Sequence, residues 1–445
     1  MPIMASGVKK KVALLQAFSN VAPAFGVRTA CLRFPEFQPP KAAIPTGRDT
    51  PNAAAQETGP VTIADLVGPR RTVSICKSAA QGTQWTSMQP AIRFLLLSLF
   101  ALAASNSALA AKLVLVAGGG EKANAASGLE AKLNGPFGVD FDRSGNMFII
   151  EMTGNRLCKV DRKGILSIVA GNGEKGETGD GGPAAKALLN GPHTLAVSPN
   201  GDILVGDTWN NRIRKIDAKT GVISTIVGSA EKGFSGDGGA ATAAKFGGLY
   251  CTALTERADR LYLADLDNRR VRMVNLKSGI VSTVAGSGKK GVPKDGEMAV
   301  DAPLVDPRAV AVDRKGNVYI LERSGNALRV VDASGKIRTV VGTGEKGAAG
   351  DGGDALKATM NGPKHLCVDS QNNVIIADTE NHMIRKYLPR EGKIVRVAGN
   401  GKRGTSGVGG PPEEAELNQP HGVTFHSGTL YISDSSNNRV LKIVE

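Results

Sequence analysis

Cysteine, aromatic residues and long apolar runs are all scarce in this 445-residue chain, and each shortage removes a class of protein. Of the five cysteines, Cys31 and Cys76 precede residue 110, while Cys158, Cys251 and Cys367 fall in three separate segments. An odd number with no Cys-x-x-Cys spacing excludes a disulfide-built scaffold, and the three read as small buried hydrophobes. Aromatics are 4 % of residues, too few to interleave with basic side chains as a nucleic-acid surface requires, so no nucleic-acid partner is expected. The formal charge of +14 does not change this: residues 1–110 hold 11 Lys and Arg against 4 Asp and Glu, leaving 44 against 37 downstream. That remainder reads as solvated surface. The apolar run Phe94–Ala104 is 11 residues, well below the roughly 20 that span a bilayer, so the chain is not expected to span a membrane.

The same run has the order of a secretory signal. Arg93 precedes it, and small residues ending Ala108-Leu109-Ala110 follow, which predicts cleavage near Ala110 and a secreted or periplasmic protein. Residues 88–110 are thus read as a signal peptide. Residues 1–87 show no repeat and no sustained apolar periodicity, and are read as a disordered extension or as sequence ahead of a true start at Met88.

Residues 111–445 are organised by repetition. An acidic residue closes an apolar run at Glu151, Asp207, Asp265, Glu322, Asp378 and Asp434, with successive spacings of 56, 58, 57, 56 and 56. Each unit begins with a turn, five of the six with a proline, as in Gly191-Pro192-His193 and Asp306-Pro307-Arg308, followed by a short strand. Proline fits there because it cannot donate to a ladder from within a strand. Tight turns such as Asn200-Gly201 link that strand to the next, so neighbours are antiparallel. The residue three after the acid is always Gly or Asn, as in Gly154 and Asn210, which predicts a left-handed backbone there, with the acid capping its own turn. Gly-rich inter-unit loops carry Asp180-Gly181-Gly182, Asp237-Gly238-Gly239 and Asp351-Gly352-Gly353. Without a Gly-Lys-Ser/Thr opening a helix, they read as structural loops rather than phosphate cradles.

A period near 56 fits four strands and one long loop per unit. The last unit lacks its fourth strand, and Lys112–Gly118 reads as a fourth strand with no unit before it. One spare strand and one vacancy predict an all-β, six-bladed β-propeller closed by residues 112–118 completing the sixth blade.

Asp207-Thr208-Trp209-Asn210-Asn211-Arg212-Ile213 and Asp434-Ser435-Ser436-Asn437-Asn438-Arg439-Val440 resemble the NHL repeat of six-bladed β-propellers. The Gly-Asp-Gly-Gly loops are similar to those of secreted bacterial NHL proteins and of the teneurin propeller. Ala327 and Met383 replace the repeat's Arg, so that side chain is not required in every blade.

In such a propeller the blade-entry position faces the central channel. Here it holds Phe137, His193, Tyr250, Arg308, Lys364 and His421, too varied for a purely structural column. His193, Tyr250, Arg308, Lys364 and His421 are therefore the candidate ligand-binding residues, Arg308 as a carboxylate fork and Lys364 as a point charge. The favoured reading is a monomeric binding module whose long-loop face takes a protein, peptide or small anionic ligand, with no cofactor. The alternative is a propeller hydrolase or lyase. Pro192-His193 and Pro420-His421 resemble the Pro-His zinc motifs of amidating lyases, which would make His193 and His421 metal ligands, for zinc or, by analogy to propeller lactonases, calcium. A catalytic zinc wants three protein ligands. No third histidine stands in the column: His365 is one residue on, His382 lies in a hairpin turn and His426 follows a strand.

Overall fold

The computed structural model describes residues 111–122 and 127–445. The readings of residues 1–87 and 88–110 lie outside the described residues. No described helix is long and apolar enough to cross a membrane.

Six four-stranded antiparallel sheets make a ring. The first strand, β1 (Lys112–Gly118), belongs to the last sheet. The first blade is β2 (Pro136–Phe141), β3 (Met147–Glu151), β4 (Arg156–Val160) and β5 (Leu166–Ala170), and the second is β6 (Thr194–Val197), β7 (Ile203–Asp207), β8 (Arg212–Ile216) and β9 (Ile223–Val227). The third is β10 (Leu249–Leu254), β11 (Arg260–Asp265), β12 (Arg270–Asn275) and β13 (Ile280–Ala285), and the fourth is β14 (Pro307–Val312), β15 (Val318–Glu322), β16 (Ala327–Val331) and β17 (Ile337–Val341). The fifth is β18 (His365–Val368), β19 (Val374–Asp378), β20 (Met383–Leu388) and β21 (Lys393–Ala398). In the sixth, β22 (Gly422–His426), β23 (Thr429–Asp434) and β24 (Arg439–Val444) are completed by β1, with Lys112 opposite Val444 and Leu113 opposite Ile443. The chain is thus a six-bladed β-propeller with the closure expected from its sequence.

The innermost strands stand side by side around the axis, β2 next to both β6 and β22. Second strands are sandwiched between sheets, so β3, β7, β15 and β19 are buried at every position and read as unbroken apolar runs. Outer strands are less buried; β5 exposes Ser167 and Ile168.

The repeated polar residues have specific tasks in this packing. Arg214, Arg272 and Arg385 are fully buried and pair with Asp180, Asp237 and Asp351 of the Gly-rich loops, at 2.6, 2.7 and 2.8 Å. Two of those aspartates also bind the outer strand, Asp180 accepting the Thr225 N–H and hydroxyl and Asp237 the Thr283 hydroxyl. The loops are therefore structural, as expected. Gly236 shows why glycine recurs in them: its φ is 92°, and an added Cβ would lie 2.6 Å from the Ala244 methyl.

Two details differ from the sequence reading. The recurring acid does not cap its own turn; it accepts a backbone N–H from the loop entering the blade, Asn190 to Asp207 at 2.8 Å and Asn361 to Asp378 at 2.9 Å. Nor is the left-handed residue three after the acid. It is four after, at Asn155, Asn211, Arg269, Asn326, His382 and Asn438, with φ between 44° and 55°. The preceding Asn has another task, Asn210 donating to both Asp207 (2.9 Å) and the Gly176 carbonyl (2.8 Å).

At five of the six seams the left-handed residue staples one blade to the next. Asn155, Asn211, Asn326 and Asn438 accept the entry N–H of Gly191, Gly248, Gly362 and Gly135 at 2.9 to 3.0 Å, and His382 Nδ1 accepts that of Gln419 at 3.1 Å. At the seam between the third and fourth blades the residue is Arg269, which has donors only.

Candidate functional site

Proline, or Leu249 in the third blade, stands at the entry to each inner strand, and the next side chain turns toward the axis. All six column residues meet there. The Phe137 ring stacks on His421 at 4.1 Å and meets His193 edge-on at 4.9 Å. His193 meets Tyr250 at 4.8 Å, and the Arg308 guanidinium lies 4.6 Å over the Tyr250 ring. Lys364 closes the circle, its ammonium 3.2 Å from His421 Nε2. The varied column anticipated from sequence is one contiguous patch at the mouth of the channel.

Its electrostatics are lopsided. His193 Nδ1–H donates to the Gly191 carbonyl at 2.6 Å, and His421 Nδ1–H to the Gln419 carbonyl at 2.8 Å, because a carbonyl can only accept. Both imidazoles therefore carry the Nδ1 proton and keep a lone pair on Nε2. Burial, reinforced by the Arg308 charge, pushes the His193 pKa down to about 3. His421 is held well below its ordinary value by burial and then by Lys364 and Arg308. The histidines are neutral, and the positive charge sits on Arg308 and Lys364.

Those two cations are not equivalent. Lys364 donates to Glu380 at 2.7 Å as well as to His421, and Gln419 Nε2 donates to the other Glu380 oxygen at 2.9 Å. Burial raises the Glu380 pKa, but the bonds from Lys364 and Gln419 outweigh it and hold the carboxyl below its usual range. Arg308 is 4 % exposed and has no carboxylate within ion-pair distance among the described residues; its Nη1 donates to the Tyr250 carbonyl at 3.2 Å. Asp306, two residues before it, is engaged by Arg323 (2.9 Å) and the Ser324 hydroxyl (2.5 Å). Burial lowers the Arg308 pKa to about 10, so it stays charged at neutral pH.

The donor set fits a metal ion poorly. Phe137 packs against both histidines, the His421 Nε2 lone pair faces an ammonium, and Arg308 adds a second cation nearby. Among the described residues no group of three His, Cys, Asp or Glu side chains has metal-ligand spacing. His365 lies beyond the patch, lining a cavity of about 320 Å³ within the channel with Thr194 and Thr252, its Nδ1 accepting the Val423 N–H at 3.3 Å. His382 is a seam staple, and His426 ends β22, stacked on Phe141 at 4.3 Å.

Sequence reasoning missed Glu380 and Gln419, which neutralise and position Lys364, and Trp209, which is 48 % exposed beside His193 at 5.9 Å. All three lie between strands, where no strand pattern marks them.

Comparison with known proteins places these features in context. The NHL repeat profile matches residues 189–216, 360–387 and 417–443, and the teneurin NHL domain profile matches residues 249–349. Human teneurin-1 is 27 % identical over 308 residues, 63 % of this chain and 10 % of its own length. NHL repeat-containing protein 2 of Gallus gallus is 25 % identical over 343 residues, 68 % of this chain and 46 % of its own length. The chain thus spans less than half of either relative. Among solved structures, an auxiliary nutrient binding protein from Bacteroides thetaiotaomicron has a TM-score of 0.55 at 16 % identity, covering 75 % of this chain and 76 % of that one. That likeness concerns the fold alone.

Proposed function

Because the chain belongs to the NHL-repeat β-propellers, whose blades share a scaffold while their entry residues and loops vary, we propose that it is a binding module that holds a small anionic ligand at the channel mouth on its long-loop face. The observation that carries this reading is Arg308, a buried guanidinium without a carboxylate partner among the described residues, seated on Tyr250 in the patch that also holds His193, Phe137, His421 and Lys364. A buried charge is costly unless paired, and an incoming carboxylate or other oxyanion supplies the pairing this side chain lacks among the described residues. The planar guanidinium favours a bidentate acid, and the aromatic and neutral imidazole rings offer an apolar wall for the rest of the ligand.

Binding requires no cofactor in this reading, and the protein acts as an exported monomer. N-terminal sequencing of the protein from its native source tests export: a mature start near Ala111 is expected, and peptides from residues 1–87 would count against it.

Isothermal titration against monocarboxylates tests the ligand class. Arg308→Met keeps the volume and removes the charge, so affinity is expected to fall tenfold or more, the worth of a charge-assisted bond of about 1.5–3 kcal/mol. Unchanged affinity in that variant would sink the reading. Metal analysis of the same sample covers the hydrolase or lyase alternative: stoichiometric zinc or calcium, lost in a His193→Ala, His421→Ala variant, would favour it.

A further inference from the structure

We propose that the seam between the third and fourth blades is a second oxyanion subsite, built on Arg269 with Lys290 and Arg323, that takes a further acid group of a ligand whose first acid group lies on Arg308. This rests on the reading of Arg308 given above and adds to it that the ligand carries at least two oxyanion groups, carboxylate or phosphate.

The seam has given up the bond that joins the other five. Five of the six seams are stapled by an Asn or His acceptor at the left-handed position, and here that position holds Arg269 at φ 50°. Asn suits such a backbone, and a long side chain gains nothing from it. The Arg269 Nε is buried and has no hydrogen-bond partner. A second staple is also missing. The hydroxyls of Thr208, Thr379 and Ser435 reach across their seams to the carbonyls of Leu249, Pro420 and Pro136, whereas the corresponding residues of the first, third and fourth blades are Met152, Leu266 and Arg323, so the third-to-fourth seam lacks both staples. Where a repeat breaks its own rule and loses bonds without a compensating contact, function is the expected reason.

In place of those bonds there is a groove of about 400 Å³, lined by Leu266, Arg269, Lys290 and Arg323 together with Asp267 and Asp306. Both aspartates are already engaged, Asp267 by Lys232 at 2.8 Å and Asp306 by Arg323 and Ser324. Arg269 and Lys290 have no carboxylate within ion-pair distance among the described residues, so the groove presents two uncompensated cations. The turn bearing Arg323 and the loop bearing Lys290 lie on the same face as the blade entries. Groove and mouth adjoin through Asp306, which lines the groove, pairs with Arg323 at 2.9 Å and lies two residues before Arg308, and the Arg323 charge adds to the lowering of the Arg308 and Lys364 pKa values.

The test is titration calorimetry of the purified protein with paired probes: propionate against tricarballylate, and inorganic phosphate against pyrophosphate. Wild type is expected to bind the better multi-acid probe at least tenfold more tightly than its one-acid partner, and the stronger pair identifies the oxyanion. Arg269→Asn is expected to abolish that advantage while leaving one-acid binding unchanged. It restores the missing acceptor to the seam, so its melting temperature should equal or exceed that of wild type, which separates lost binding from lost folding. Equal affinity for both members of each pair, or an undiminished advantage in Arg269→Asn, overturns the second subsite and leaves Arg308 standing. Failure of every probe to bind overturns both readings.

Discussion

Arg308 lies over the ring of Tyr250 at 4.6 Å and donates to the backbone carbonyl of the same residue, so one neighbour supplies both the aromatic contact and the hydrogen bond found for a buried cation. A cation–π contact and one neutral bond return less than desolvation of a guanidinium takes away. Arg308→Met is therefore expected to raise stability by about 1–3 kcal/mol while lowering anion affinity. Urea unfolding at neutral pH measures it. A loss of stability of similar size would mean that Arg308 is a structural residue.

The blades show a size rule that isolates one packing relationship. Where the recurring acid is Asp, the residue three later is Asn, as in Asp207 and Asn210; where it is Glu, that residue is Gly, as in Glu151 with Gly154 and Glu322 with Gly325. The longer acid fills the space of the Asn side chain: a Cβ on Gly154 would lie 2.4 Å from Glu151 Oε2, and one on Gly325 would lie 2.9 Å from the Glu322 Cβ. Gly154→Asn alone is expected to destabilise by about 2 kcal/mol, within the range of overpacking. Adding Glu151→Asp should recover most of that loss, giving a coupling above about 1 kcal/mol in a double-mutant cycle. Additive effects would refute the rule.

How much of this was legible in the sequence follows from what repetition can encode. The period, the strand order and the closure by residues 112–118 were readable because apolar alternation and turn residues recur in register six times. The entry column was readable for the opposite reason, since six non-uniform residues stand where the scaffold asks for none in particular. The partners of those residues were not. Glu380 reaches Lys364 across 16 positions, and the Asp207 carboxylate reaches back 17 positions to the Asn190 N–H rather than into its own turn. The sign for Arg269 was present, one Arg among four Asn and one His, but the left-handed residue was placed one position too early, which hid that column.

The neutral histidine at the mouth makes stability depend on pH. The folded pKa of His193, about 3, lies below the ordinary 6.5, so the unfolded chain binds more protons between those values. Its contribution is present above pH 6.5 and lost as pH falls, amounting to about 2 kcal/mol by pH 5. Asp265 and Asp378 act oppositely: burial raises their folded pKa to about 6, so the stability they contribute is present below pH 3.8 and lost as pH rises through about 6. His193→Gln should therefore flatten the acid-side loss seen in urea melts at pH 7, 6 and 5. Titration of His193 near 6.5 by NMR would contradict a buried neutral imidazole.

Lys364 offers a way to change the mouth without touching Arg308. Its ammonium is spent on Glu380 at 2.7 Å, and Glu380 is itself fixed by Gln419, whose side-chain carbonyl accepts the Ser436 hydroxyl at 3.1 Å. The carboxylate offsets one of the two cations and competes with any incoming acid. Glu380→Gln keeps the shape and the bond to Lys364 while removing the negative charge. Affinity for propionate should rise about three- to tenfold, steeply reduced by salt, because a second full charge then faces the ligand. The Lys364→Met variant should bind like wild type or slightly more weakly, since its charge is already offset. If Glu380→Gln instead weakens binding, the carboxylate itself touches the ligand, and the mouth selects a zwitterion or a hydroxyl donor rather than a simple anion.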